Sequence, residues 1–170
     1  MVLDVVGSSP TSRPKKILIY SASAARLQSV SSGLQIPPLM RILLAEDNAA
    51  DVYLVREALS AYGVEHDLSV VDDGEKAIEF LALTDADANR PSPQLLLLDL
   101  NLPRRSGLEI LRFLRASRRS AAIPVIVLTS SDSPQDRARV AELGVSHYFC
   151  KPSDFDAFMR LGAIVAEAVR

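Results

Sequence analysis

The stretch Leu95-Leu96-Leu97-Leu98-Asp99-Leu100-Asn101-Leu102-Pro103 decides how this chain is read. Four consecutive leucines suit a strand covered on both faces, the pattern of parallel sheets. A carboxylate closing such a run must be solvated, capped or used, because an isolated buried charge is costly. Three other apolar runs also end on polar groups. Glu46 and Asp47 follow Arg41-Ile42-Leu43-Leu44-Ala45, Thr129 follows Pro124-Val125-Ile126-Val127-Leu128, and Lys151 follows Tyr148-Phe149-Cys150.

Outward from these runs, strand-like segments fall near 41–46, 66–71, 94–99, 123–129 and 146–150, each followed by residues with helical spacing. Val52, Val55, Leu59 and Tyr62 are expected to line the buried face of the first helix. Phe155, Phe158, Met159, Val165 and Val169 should do the same in the last. Strands separated by helices imply right-handed parallel crossovers with helices on both faces. The fold class is therefore α/β, a doubly wound (βα)5 parallel sheet with strand order 2-1-3-4-5. In that order ligands bind at the carboxyl edge, where the winding reverses. The same edge gathers Glu46, Asp47, Asp99, Thr129 and Lys151.

Composition narrows the classes. The chain has 170 residues, 48% of them hydrophobic and 24% charged, which suits one globular domain with a core. A net charge of -2 offers no drive toward nucleic acid. A lone cysteine, Cys150, fits a reducing compartment, so a cytoplasmic location is expected. No apolar run reaches the roughly 18 to 20 residues of a membrane span, so no membrane role is expected. Ile17-Leu18-Ile19-Tyr20 behind Lys15-Lys16 is far short of the apolar core of about 7 to 15 residues in a secretory signal. Residues 1–39, broken by Ser8-Ser9-Pro10, Ser31-Ser32-Gly33 and Pro37-Pro38, read as a flexible extension, with the domain proper over 40–170. Met40, directly ahead of the first strand, offers an alternative start.

Clustered carboxylates raise one another's pKa unless a cation neutralises them. Glu46, Asp47 and Asp99 offer only oxygen ligands, which suit Mg²⁺ rather than zinc, and the main-chain carbonyl of Asn101 is placed to complete the shell. Beside such an ion Asp99 is a competent nucleophile for an aspartyl phosphate. Lys151 and the Thr129 hydroxyl would hold the phosphoryl oxygens.

With these residues assembled, the chain resembles the receiver domains of two-component response regulators. The motifs that carry the resemblance are Leu43-Leu44-Ala45-Glu46-Asp47-Asn48, Leu98-Asp99-Leu100-Asn101-Leu102-Pro103, Leu128-Thr129-Ser130 and Lys151-Pro152, across residues 41 to about 169. The resemblance implies a flavodoxin-like fold, Asp99 as phosphoacceptor, Mg²⁺ on Glu46, Asp47 and Asp99, a sensor histidine kinase as partner, and Thr129, Tyr148 and Lys151 as reporters of phosphorylation. Ala50-Asp51, the loop from Thr84 to Pro93 and Asp99-Leu100-Asn101-Leu102-Pro103-Arg104 are similar to single-domain regulators of bacterial phytochromes. That narrower likeness implies a phytochrome-type kinase and homodimerisation through the fourth helix, fifth strand and fifth helix. Such a chain is a stand-alone switch acting on a downstream protein of unknown identity, not an enzyme beyond slow self-dephosphorylation. The rival is a phosphatase of the haloacid dehalogenase type, which also uses an aspartate nucleophile. It needs a second Asp where this chain has Asn101, whose amide donates no catalytic proton. A pseudo-receiver that is never phosphorylated is a further alternative. Ser106-Gly107 departs from the Asp-Gly common after the phosphoacceptor loop.

Other groups read as structural. Asp47-Asn48 also suits a helix cap, which is compatible with metal binding. Asp72-Asp73-Gly74 has turn and cap chemistry away from the switch point. Arg104, Arg105, Arg112, Arg115, Arg118 and Arg119 read as a solvated face with some capacity for an acidic partner. His66 and His147 have no ligand-spaced partner, Cys150 is expected in the core, and a cis Lys151-Pro152 bond is expected to aim the lysine inward.

Overall fold

The computed structural model describes residues 39–168. The expected extension, apart from Leu39, and Val169 lie outside the described residues. Five strands alternate with five helices: β1 (Met40–Ala45), α1 (Ala49–Ala61), β2 (His66–Val71), α2 (Gly74–Ala86), β3 (Leu95–Asp99), α3 (Gly107–Ala116), β4 (Val125–Thr129), α4 (Pro134–Glu142), β5 (His147–Cys150) and α5 (Phe155–Ala168). The strands pair in parallel in the order β2-β1-β3-β4-β5. This is the arrangement expected from the sequence.

The leucine run is continuous because both faces of β3 are covered, with β3 and β4 buried at every position. Registered rows alternate between two cores. Leu44, Leu97 and Ile126 pack with Val55, Ala58 and Leu59 of α1 and Phe158, Leu161 and Val165 of α5. Leu43, Leu96 and Val125 face Leu81 of α2, Leu111 and Leu114 of α3 and Val140 of α4. Each such leucine contributes about 1.5–3 kcal/mol on burial. The edge strands β2 and β5 are only partly covered, and the expectation that Cys150 is core is corrected here: at the end of β5 it is exposed.

Two aromatic residues expected on the buried helix faces are not there. Tyr62 follows α1 as its C-cap and is 47% exposed, while Phe155 opens α5 and is 53% exposed. Terminal turns overhang the sheet, so the periodicity that serves mid-helix residues fails at the ends. At the closest approach of α1 and α5 a small residue makes the contact, with one edge of the Tyr62 ring beside it. A Cβ added to Gly162 of α5 would lie 2.1 Å from the Ala58 carbonyl of α1, so the glycine sets how closely the two helices approach.

The arginines are not uniformly a solvated face. Arg115 donates to the carbonyls of Leu143, Gly144, Ala121 and Ile123 at 2.8 to 3.0 Å, tying the end of α4 to the segment entering β4. Arg119 donates to the carbonyls of Thr84 in the last turn of α2 and of Asp87 just beyond it. Asp73 caps α2 by accepting from the Lys76 amide, as its cap chemistry suggested. Ser106 caps α3 in a capping box: its hydroxyl accepts from the Glu109 amide while the Glu109 carboxylate accepts from the Ser106 amide. Ser106, the departure from Asp-Gly noted in the sequence, is thus the cap of α3. Among the described residues, no helix is long and apolar enough to cross a membrane.

Two outcomes follow from this packing. Gly162→Ala should cost about 1–3 kcal/mol as α1 and α5 are forced apart, read as a lower urea midpoint; an unchanged midpoint would show that the helices yield freely. The second concerns acid. Hydrogen bonds from the Ser106 amide, then Arg105 and the Ser106 hydroxyl, hold the Glu109 carboxyl below its ordinary 4.5, at about 2. Because the folded value is depressed, its contribution is present above pH 4.5 and is lost as pH falls from 4.5 toward 2. Glu109→Gln keeps an acceptor for the cap but has nothing to protonate. Its urea midpoint should decline less steeply with acid than wild type across that window, and parallel declines would refute the assignment.

Candidate functional site

The site lies where β1, β3, β4 and β5 end. Glu46, the residue after β1, is 1% exposed and held by its amide to the Val71 carbonyl of β2. Asp47 follows, exposed to solvent, and Asn48 caps α1 by accepting from the Ala50 amide. Asp99 is the last residue of β3 and is 6% exposed. Its Oδ1 accepts from the Asn101 amide at 2.8 Å. Gly107 keeps this end of the strand tight against α3, since a Cβ there would lie 2.6 Å from the Asp99 carbonyl.

Lys151 joins these pieces. Its amide donates to the Thr129 carbonyl at 2.7 Å, continuing the β4–β5 pairing and turning the side chain over the sheet edge. Nζ donates to Glu46 Oε2 at 2.6 Å, Asp99 Oδ2 at 2.6 Å and Asp51 Oδ2 at 2.8 Å, which uses all three ammonium hydrogens. The Lys151-Pro152 bond is trans, contrary to the cis expectation. The strand pairing already directs the lysine inward, so an unusual peptide is not needed.

Burial pulls the Lys151 ammonium toward a lower pKa, but its bonds to Asp51, Asp99 and Glu46 outweigh this and hold it above the ordinary lysine value. Burial likewise pushes the Glu46 carboxyl up, against the opposing pull of Lys151. Glu46, Asp47 and Asp99 each present a carboxylate oxygen within 4.8 Å of the others. Three hard oxygen donors converging from two neighbouring strands fit a divalent cation of the magnesium or manganese kind.

Thr129 is fully buried at the end of β4. Its Oγ1 accepts from the Ser131 amide at 3.0 Å, and among the described residues no hydrogen bond joins it to Asp99 or Lys151. Tyr148 of β5 is half-buried; its hydroxyl donates to the Ser131 carbonyl at 2.8 Å, and the Arg137 guanidinium lies 4.4 Å from its ring centre. Asn101 meets Asp99 through its amide, while its side chain lies at the exposed rim. The structure thus brings Glu46, Asp47, Asp99 and Lys151 together, and places Thr129 and Tyr148 around Ser131, next to the pocket.

Asp51 was not expected in the site. It lies in the first turn of α1, where an acid is ordinarily explained by the helix dipole. Its signal was its position: one turn after Glu46, a helix leaving the carboxyl edge carries its carboxylate back over that edge.

Comparison with known proteins gives the same picture. The family described as the response regulator receiver domain matches residues 42–161. Response regulator Rcp1 of Synechocystis sp. is 41% identical over 115 residues, spanning 68% of this chain and 78% of that protein. The structure of the phosphorylated cyanobacterial phytochrome response regulator RcpA superposes with a TM-score of 0.69 at 34% identity, covering 76% of this chain and 93% of RcpA. The Mn²⁺-bound form of Rcp1 gives 0.67 at 38% identity over 75% of this chain and 92% of that one.

Proposed function

This chain belongs to the response regulator receiver domain family, and from that premise we propose that it is a phosphorylation switch in which Asp99 accepts a phosphoryl group from a sensor histidine kinase. The observation that carries this reading is the Lys151 ammonium 2.6 Å from both Asp99 and Glu46, in a pocket whose three carboxylates converge within 4.8 Å. In the transfer, an Asp99 carboxylate oxygen forms a bond to phosphorus as the bond from phosphorus to the donor's imidazole nitrogen breaks, and that nitrogen retains the electron pair. Glu46, Asp47, Asp99 and the main-chain carbonyl of Asn101 would hold Mg²⁺, which would supply neutralising charge for the phosphoryl oxygens. Lys151 gives those oxygens a charged donor. The likeness to the cyanobacterial phytochrome response regulator RcpA favours a phytochrome-type kinase, and the lone cysteine favours the cytoplasm.

A phosphoryl group adds about -1.5 to -2 charge. The Thr129 hydroxyl, which accepts from Ser131, retains its own hydrogen to donate toward that charge. Ser131 in turn holds Tyr148, so a shift of Thr129 reaches β5 and α4. Couplings of this size are typically about 1–3 kcal/mol, enough to bias self-association or the binding of a downstream protein through α4, β5 and α5. Hydrolytic turnover of phosphate esters is disfavoured, because the residue two positions after Asp99 is Asn101, whose amide is no general acid. Self-dephosphorylation is accordingly slow.

Incubation with Mg²⁺ and acetyl phosphate, followed by intact mass measurement, should show one phosphoryl group on wild type and none on Asp99→Asn. Asp47→Asn should slow uptake by about tenfold or more, given the several kcal/mol a metal lends to such transfers. Equal uptake by Asp99→Asn would defeat the reading. In sedimentation, the phosphorylated protein should shift toward dimer relative to the unmodified one; identical profiles would remove self-association as the output.

A further inference from the structure

Lys151 and the acidic trio compete for the same oxygens. Lys151 Nζ donates to Glu46 Oε2 and Asp99 Oδ2, and these two residues, with Asp47, are the carboxylates that fit a divalent cation. The remaining oxygens of the pair already accept backbone amides, Asn48 N on Glu46 Oε1 at 3.2 Å and Asn101 N on Asp99 Oδ1 at 2.8 Å. An ammonium repels a cation brought onto the same carboxylates, and a buried ammonium that loses acceptors without replacement is strongly disfavoured. It needs an acceptor outside the trio.

Asp51 is that acceptor. Its Oδ2 lies 2.8 Å from Nζ on the α1 side, and it does not belong to the converging group of Glu46, Asp47 and Asp99. Its side chain is 21% exposed, whereas those of Glu46 and Asp99 are nearly closed off, so it can carry charge at lower desolvation cost. We propose that Asp51 is a positioning residue for the metal-loaded site, holding the Lys151 ammonium while Glu46 and Asp99 serve the cation, and thereby raising metal affinity. This rests on the metal reading of Glu46, Asp47 and Asp99 given above. A purely structural acid at the start of α1 would stabilise the helix without acting through Lys151.

The test is a titration of the full chain with Mn²⁺ alone, free ion being followed by electron paramagnetic resonance. It uses wild type, Asp51→Ala, Asp51→Asn, Lys151→Met and the double variant Asp51→Ala/Lys151→Met, each checked for folding by its urea midpoint. Asp51→Ala should bind about tenfold more weakly, in the range of outer partners at metal sites. Asp51→Asn, which keeps an acceptor for the ammonium, should recover part of the loss, and Lys151→Met should bind more tightly than wild type. In the Lys151→Met background the Asp51→Ala effect should fall to about twofold or less, because the residue it acts through is gone. Wild-type affinity in Asp51→Ala, or a tenfold loss that persists without Lys151, overturns this inference while leaving the metal reading intact. A wild type that binds no Mn²⁺ overturns both.

Discussion

The ammonium of Lys151, shared among Glu46, Asp51 and Asp99, is the interaction from which the rest of the carboxyl edge takes its shape. Three elements deliver acids to this point: β1 leads into Glu46, β3 ends on Asp99, and the first turn of α1 carries Asp51. Without a cation between them, nearly buried carboxylates at this spacing would have to protonate or spread apart. The lysine follows β5, which β3 and β4 separate from β1, so the pocket closes across the ends of four neighbouring strands in the order β1-β3-β4-β5. Removing either side of such a buried pair typically costs about 3–5 kcal/mol, because the partner is left charged and alone. Topology and electrostatics therefore specify one another.

This explains what could be read from the chain and what could not. The leucine run at 95–98 is uniformly apolar because β3 is central, and a central strand between two helical layers permits no other composition. The residues that end the central strands were legible for the same reason: a charge after an uninterrupted apolar run has few bland explanations. Cys150 and Phe155 were misread because they sit where coverage stops, one on an edge strand and one at the first turn of α5. Periodicity describes the middle of an element; its ends depend on how far neighbours extend. Asp51 escaped because the helix dipole accounts locally for an acid in the first turn, and only the long-range contact with Lys151 shows otherwise. Arg115 and Arg119 resembled solvated charge because their partners are backbone carbonyls, which leave no mark in a sequence.

Loop geometry around Asp99 is similarly over-determined. Arg104 adopts a left-handed backbone with φ of 69°, which costs a non-glycine residue roughly 1–2 kcal/mol. Two contacts offset that cost. The Arg104 guanidinium pairs with buried Asp73 at 3.0 Å, and the Pro103 carbonyl accepts from the Gly74 amide at 3.1 Å. Gly74 is obligatory in that contact, since a Cβ would fall 2.0 Å from the Arg105 carbonyl. The acidic pair at Asp72-Asp73 thus takes no part in the pocket, yet it anchors the loop that follows Asp99.

Ser131 ties the end of β4, beside the pocket, to both β5 and α4. Its amide is bound to Thr129 Oγ1, its carbonyl to the Tyr148 hydroxyl, and its own hydroxyl to Asp136 in the first turn of α4. Thr129 cannot turn its hydroxyl without disturbing the first of these bonds, and one short residue carries all three. The far end of α4 has no such freedom, because Arg115 pins the carbonyls of Leu143 and Gly144 to the segment entering β4. α4 is thus held at its carboxyl end by Arg115 and tied at its amino end through Asp136 to Ser131, and Arg137 of the same helix stacks its guanidinium on the Tyr148 ring of β5. Ser131 therefore links the end of β4, beside the Asp99 pocket, to both β5 and α4 through three hydrogen bonds.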